Sequence, residues 1–180
     1  MENKLEWNLK EIYKNDEEFE NDVKALQEKA NEIVALKGTL GESSATILNC
    51  YKKLAEALEL EERLYAFAML KYHKDMSNVD SIKLYKRIEK ITTDFSEAIS
   101  FVSPEISKID DDRLRGFLVE NEELKTEFNK SIEDIIKEKK HILSEEVEKV
   151  LAKYSEVFGS PENAYDTFVD TELDFPDVIA

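Results

Sequence analysis

Glycine and proline are scarce in this sequence: its 180 residues include four glycines and three prolines. A sheet of many strands needs frequent turns, which these two residue types favour, so their scarcity argues against a β-rich fold. Hydrophobic residues make up 42% of the chain and charged residues 37%, a balance that suits long amphipathic helices. We therefore expect an all-α fold.

Cysteine and positive charge are also in short supply. The one cysteine, Cys50, cannot form an internal disulfide and has no second thiol with which to bind a metal, so we interpret it as a small buried hydrophobic residue. The formal net charge is −16, and the acidic residues are spread along the whole chain. Because such a surface repels nucleic-acid phosphates and anionic lipids, we expect no nucleic acid and no membrane surface as a partner.

Long apolar runs are missing as well. The longest, at residues 64–70, is much shorter than the roughly 20 residues of a membrane-spanning helix. The opening MENKLEWNLK lacks the apolar region of a secretory signal. We expect a cytoplasmic location.

Apolar residues recur every three or four positions through most of the chain, which indicates helices. The first helix is predicted over residues 16–37, after a capping pair formed by Asn15 and Glu18. The second is predicted from a serine cap at position 43 or 44 to about residue 73. Its second half is apolar nearly all round, so we expect it to form the centre of the core.

The third long helix is predicted over residues 84–102, before a break at Ser103 and Pro104. Shorter helices follow, each identified by its own apolar stripe: residues 114–118, 124–135 and 147–158. Glycine, serine and proline at 159–161 combine the signals that end one helix and begin the next, which predicts a further helix carrying Tyr165 and Phe168. The expected fold is therefore one of long antiparallel helices in residues 1–109, followed by a bundle of shorter helices in residues 110–180.

One pair of residues has the spacing of a metal site. Glu138 and His141 form Glu-x-x-His, the pair that helical di-iron proteins present from each of two helices. The other histidine, His73, has Leu70 three residues before it, where a second Glu-x-x-His pair would need a glutamate. The sequence therefore lacks the ligands for a site with two metal ions. The His-Glu-x-x-His motif of zinc peptidases is also absent from the sequence.

The residues after His141 have a simpler interpretation. Ser144 is a natural N-cap, and Glu145 and Glu146 would then lie in the first turn of a helix, where the helix dipole favours negative charge. The many other carboxylates are typical of a solvated surface with lysine partners. We expect no catalytic, no cofactor-binding and no metal-binding residue in this chain.

Four segments of the sequence carry a family resemblance when they are taken together and in order. They are WNLKEIY at 7–13, YAFAMLKYHKDMSN at 65–78, SFVSPEI at 100–106 and HILSEEVEKVLAKYSEVFGSPENAYDTFVDTELDFPDV at 141–178. They resemble the N-terminal region of oligoendopeptidase F, a zinc peptidase family related to thimet oligopeptidase. The last segment is the most specific, and the resemblance covers essentially the whole chain.

The resemblance implies one domain of a larger enzyme. The parent would be a zinc metalloendopeptidase that hydrolyses short peptides, with its zinc, its catalytic residues and its His-Glu-x-x-His motif in a catalytic domain downstream. The helical N-terminal domain would wall the substrate cleft, bind no zinc of its own and be inactive when isolated. Its partners would be the downstream catalytic domain and, for the parent, oligopeptide substrates.

The alternative is a stand-alone acidic helical scaffold or adaptor protein, which would bind partner helices along a groove. The ending LDFPDVIA favours a domain cut from a longer chain, because its β-branched residues suggest an extended segment without a partner. In a cut domain, apolar side chains of the terminal segment should pack on a second copy or move freely. The first of these outcomes is self-association of the fragment, and the segment has six such residues: Phe168, Val169, Leu173, Phe175, Val178 and Ile179.

Overall fold

The structure is a computed structural model that describes residues 7–169 and Leu173. Over this part of the chain it contains seven α-helices, a short 3₁₀ turn at Leu9–Glu11, and no strand. The helices are α1 (Asp16–Val34), α2 (Ser44–Lys74), α3 (Val79–Ile99), α4 (Val102–Ser107), α5 (Asp111–Glu120), α6 (Glu122–Glu138) and α7 (Glu145–Thr167). The predicted all-α fold is confirmed.

Side-chain caps mark where most of the helices begin. Asn15 Oδ1 accepts a hydrogen bond from the Glu18 amide at 2.9 Å, and the Glu18 carboxylate accepts one from the Lys14 amide at 3.0 Å. Ser43 Oγ accepts from the Thr46 amide at the start of α2. These bonds satisfy amides that have no partner inside their own helix, and they confirm the predicted caps. Three further helices begin in the same way, at Asn78, Asp110 and Asn121.

The core lies around α2, which contacts α1, α3, α5 and α6. In its second half Leu64, Phe67 and Ala68 are buried, which confirms that this segment lies at the centre. Phe67 also meets the rings of Tyr13 and Phe19 edge-on or tilted, so that the chain before α1 is anchored to the same core. Aromatic pairs in this geometry stabilise a fold beyond the area they bury.

A second layer is formed by α4, α5 and α6: α6 packs against both α4 and α5, and α5 and α6 pack against α2. Leu114, Leu124 and Ile132 are buried there, and the Tyr51 ring of α2 stacks on Phe128 at 5.2 Å. The buried side chains form one continuous cluster on both sides of residue 109. The division of the chain into residues 1–109 and 110–180 stays a prediction.

Two predicted helix ends are wrong by about one turn. The first helix ends at Val34 and not at residue 37, because the chain passes through tight turns to Gly38, whose φ is +87°. The third ends at Ile99, where Ser100 Oγ donates to the Glu97 carbonyl and turns the chain. Val102 then begins α4, and Pro104 lies in its first turn, where its missing N–H costs no helical hydrogen bond.

The predicted break at residues 159–161 is also wrong. α7 runs without interruption from Glu145 to Thr167, with Pro161 inside it, and Gly159 has none of the positive φ that a helix-ending glycine adopts. Contacts with α3 lie on both sides of the proline: Lys149 bonds to Glu97 before it, and Asn163 lines a cleft with Tyr85 and Glu89 after it. Tertiary packing therefore overrides the local signals for a break.

Between residues 7 and 169, no helix combines the length and the hydropathy that a membrane span requires.

Candidate functional site

The structure places Glu138 and His141 in a turn, not on one face of a helix. α6 ends at Glu138, and the amides of His141 and Ile142 both donate to its carbonyl, at 2.7 and 3.1 Å. His141 is exposed, as is His73 at the far end of α2. In the described part of the chain, no group of three or more histidine, cysteine or acidic side chains is arranged to hold a metal ion. The expectation that this chain holds no metal and no catalytic residue stays a prediction.

Ser144 is the N-cap residue of α7, with the extended backbone expected there, but its side chain accepts no bond from the amides of the first turn. The Glu148 carboxylate accepts from the Leu143 amide at 3.2 Å, which ties the chain before the helix to its first turn. Glu145, Glu146 and Glu148 all lie in that turn, where the helix dipole favours their charge. The predicted helix start is thus correct, although the expected serine cap bond is not made.

α7 is attached to the rest of the domain through polar contacts. Lys149 and Lys153 both approach Glu97 of α3, at 3.1 and 3.2 Å, and Glu145 pairs with Lys37. The hydrogen bond from Lys149, together with its positive charge, lowers the pKa of Glu97 below the ordinary value for glutamate. The attachment surface of α7 is therefore held by charge and hydrogen bonds more than by apolar burial.

The opposite side of α7 is apolar and exposed. We name its side chains the apolar stripe; each is between 42% and 67% exposed: Val147, Val150, Leu151, Tyr154, Val157, Phe158, Tyr165 and Phe168. The sequence predicts a helix from the stripe formed by Val147, Val150, Leu151, Tyr154 and Phe158, and the structure has these side chains on an exposed face of that helix. Spacing identifies which residues share a face, but it does not show what covers that face.

Part of the terminal segment that is predicted to pack on a second copy or to move freely can also be located. Phe168 and Leu173 are exposed, Val169 is half-buried, and the Leu173 amide donates to the Phe168 carbonyl at 3.0 Å. The remaining members of that prediction, Phe175, Val178 and Ile179, lie outside the described residues.

The cleft where α1, α3 and α7 meet has a volume of about 250 Å³. Its lining includes Lys37, Glu97, Glu145 and Lys149, which pair with one another across it. Mutual pairing satisfies these charges within the protein. The charged groups of the cleft therefore hold the helices together, and fewer of them are available to bind a ligand. The apolar stripe is the better candidate for a binding surface.

Comparison with known proteins identifies what this arrangement resembles. The profile of the family described as Oligopeptidase F matches residues 105–175. Oligopeptidase PepF of Bacillus subtilis (strain 168) is 31% identical over 172 residues, which are 96% of this chain and 26% of that protein. An oligoendopeptidase F homolog of Borreliella burgdorferi is 29% identical, again over 96% of this chain and over 29% of that protein.

A solved structure agrees with these sequence matches. The crystal structure of oligoendopeptidase-F from Enterococcus faecium superposes with a TM-score of 0.83 and 29% identity, over 91% of this chain and 31% of that one. The predicted resemblance to the N-terminal region of oligoendopeptidase F is confirmed. The chain spans between a quarter and a third of the length of these relatives.

Proposed function

Because this chain is similar along nearly its whole length to the N-terminal region of oligoendopeptidase F, we propose that it is the non-catalytic helical domain of a longer, zinc-dependent oligoendopeptidase. The observation that carries the proposal is the agreement of sequence and fold: 31% identity to the Bacillus subtilis protein and a TM-score of 0.83 against the enterococcal structure. Neither match is confined to one motif or one helix.

We propose that this domain has no zinc site of its own, since the residues between positions 7 and 169 offer no suitable set of ligands. Of its two histidines, His73 lies in the last turn of α2, and His141 lies in the turn that follows the end of α6 at Glu138. A catalytic zinc needs three well-placed protein ligands and an open position for water. We therefore assign zinc binding and hydrolysis to the downstream domain, and to this domain the wall of the cleft that admits short peptides.

The surface charge supports the proposed partners. With a net charge of −16, the domain is suited neither to nucleic acid nor to anionic membrane surfaces, and we propose a cytoplasmic enzyme whose substrates are oligopeptides. The domain's direct partner is the catalytic domain of the same polypeptide.

A stand-alone helical scaffold or adaptor is the second candidate, since the apolar stripe could receive a partner helix. The coding sequence beyond residue 180 separates the two. A His-Glu-x-x-His motif downstream supports the peptidase, whereas a stop codon at that point supports the adaptor.

The direct test is an assay of the longer chain with short peptides and with measurement of bound zinc. We expect hydrolysis that a chelator removes and that zinc restores, because the water-activating metal would lie in the downstream domain. His141→Ala is the matched variant, and it should leave both zinc content and hydrolysis unchanged. Loss of zinc and activity in His141→Ala, or a longer chain that cleaves no peptide, would contradict the proposal.

A further inference from the structure

We propose that the apolar stripe of α7 is the surface on which the downstream part of the same polypeptide docks. This inference rests on the proposed function, because it requires a longer chain. The apolar stripe lies on one face of α7, and the contacts that attach α7 to α3 lie on the opposite face.

The orientation of α7 leaves its larger apolar residues exposed. Its side toward α3 carries small or polar residues such as Ala152, Gly159 and Asn163, all partly buried, while the larger apolar residues face outward. At 3.6 residues per turn, the stripe stays within roughly 120° of the helix circumference, the width expected for a helix face packed against a core. α7 therefore has two packing faces, of which the described residues cover only the polar one.

The apolar stripe is large enough to form a protein interface. Its eight side chains expose on the order of 800 Å², which exceeds the largest apolar patch of most monomers and equals one side of a standard protein interface. Phe158 lies near its middle and is 66% exposed. Aromatic residues at the centre of such a patch usually carry most of the binding energy. A single exposed apolar residue such as Val119 of α5 does not indicate an interface, because isolated apolar residues are common on protein surfaces.

The occupant of the stripe is the downstream part of the same polypeptide. The match to the Bacillus subtilis relative covers 26% of that protein, so most of such a polypeptide lies outside the region matched here. α7 is the last helix of the described chain, so its stripe lies close in sequence to the downstream part of a longer polypeptide. A second copy is a poorer occupant, because each copy has a net charge of −16 and two acidic surfaces repel one another.

The chemistry of the partner surface can be deduced from the stripe. It should be an apolar groove or helix face, without charge at its centre, because an unpaired charge buried against Val150 or Val157 would be costly. The hydroxyl groups of Tyr154 and Tyr165 should find hydrogen-bond partners at its rim, since both rings would be largely buried after docking.

The test measures how fast thiols at chosen positions are alkylated in the longer chain. Val150→Cys and Val157→Cys place a thiol in the stripe, and Val119→Cys is the matched control on α5, where the native valine is 82% exposed. Cys50 reports background, because it is buried and burial raises its pKa to about 11. Mass spectrometry of peptides resolves each site.

We expect the two stripe thiols to react at least about tenfold more slowly than Val119→Cys, because docking excludes the reagent. Equal rates at all three positions in a chain that still hydrolyses peptides would overturn the inference and leave the proposed function intact. Protection that grows with protein concentration would also overturn it, in favour of a second copy. A longer chain without peptidase activity would count against the proposed function, whatever the labelling rates.

Discussion

At the scale of single residues, two hydrogen bonds to one carboxylate hold the loop between α1 and α2. The Glu105 carboxylate accepts hydrogen bonds from the amides of Gly38 and Leu40, at 2.8 and 2.9 Å, and so fastens the loop to α4. Gly38 has a φ of +87°, a left-handed conformation that other residues adopt only at a cost. The loop therefore depends on one backbone conformation and one acidic side chain.

The same substitution at two glycines should have opposite effects. Gly38→Ala should lower the free energy of unfolding by about 1 kcal/mol, because its φ disfavours a Cβ, although no atom lies within 4 Å of the added carbon. Gly116 lies inside α5, and no atom lies within 4 Å of a Cβ added there. Gly116→Ala should therefore raise the free energy of unfolding by about 0.5–1 kcal/mol, because alanine loses less conformational freedom than glycine in a helix. Urea unfolding measures both, and a stabilised Gly38→Ala would contradict the loop conformation.

At the scale of single elements, α7 is held on α3 by charged side chains. Glu97 of α3 receives both Lys149 and Lys153, so this carboxylate is the main charged contact between the two helices. Because these lysines lower its pKa in the folded state, Glu97 stabilises the fold above the ordinary glutamate value of 4.5. That contribution disappears as the pH falls through the lowered pKa, since the protonated carboxyl no longer attracts the lysines.

Glu97→Gln should therefore lower the melting temperature at neutral pH, and this difference should shrink once the pH falls below 4.5. Glu28→Gln, at an exposed position of α1, is the control and should change little at either pH. If the Glu97→Gln difference stayed constant down to acid pH, the ion pair would not be what holds α7.

The continuity of α7 can be tested at the two residues that predicted a break. In a continuous helix Pro161 removes the hydrogen bond to the Val157 carbonyl, so Pro161→Ala should stabilise the protein by about 1–3 kcal/mol. Gly159→Ala should stabilise it too, because the added Cβ meets only Asn163 at an ordinary 3.8 Å. Destabilisation by both variants in urea unfolding would instead place a helix end there.

The sequence predicts some elements well and others poorly, for physical reasons. The caps at Asn15 and Ser43 are local hydrogen bonds, so spacing alone finds them. The course of α7 past Pro161 depends on contacts with α3, which are distant in sequence. The apolar stripe was recognised as a stripe, but its exposure depends on which neighbour occupies each face of the helix, and periodicity carries no information on that.

At the scale of the whole molecule, the described residues form a helical domain with one buried core and one uncovered apolar face. The domain is similar to about a third of the enterococcal oligoendopeptidase-F. Under the proposed function, its core would form a rigid wall beside a catalytic domain. A wall limits access only while it stays docked. Under the proposed function, docking through α7 therefore makes the longer enzyme select short peptides.

The most direct test compares kcat/KM for a short peptide with kcat/KM for the same cleavage site inside an unfolded protein. In the longer enzyme, Val157→Asp should lower this ratio by about tenfold, because a buried carboxylate releases the wall and opens the cleft to longer chains. Val119→Asp, on the exposed side of α5, should leave the ratio unchanged. The same ratio for Val157→Asp as for the unaltered enzyme, in a folded monomer, would contradict the account.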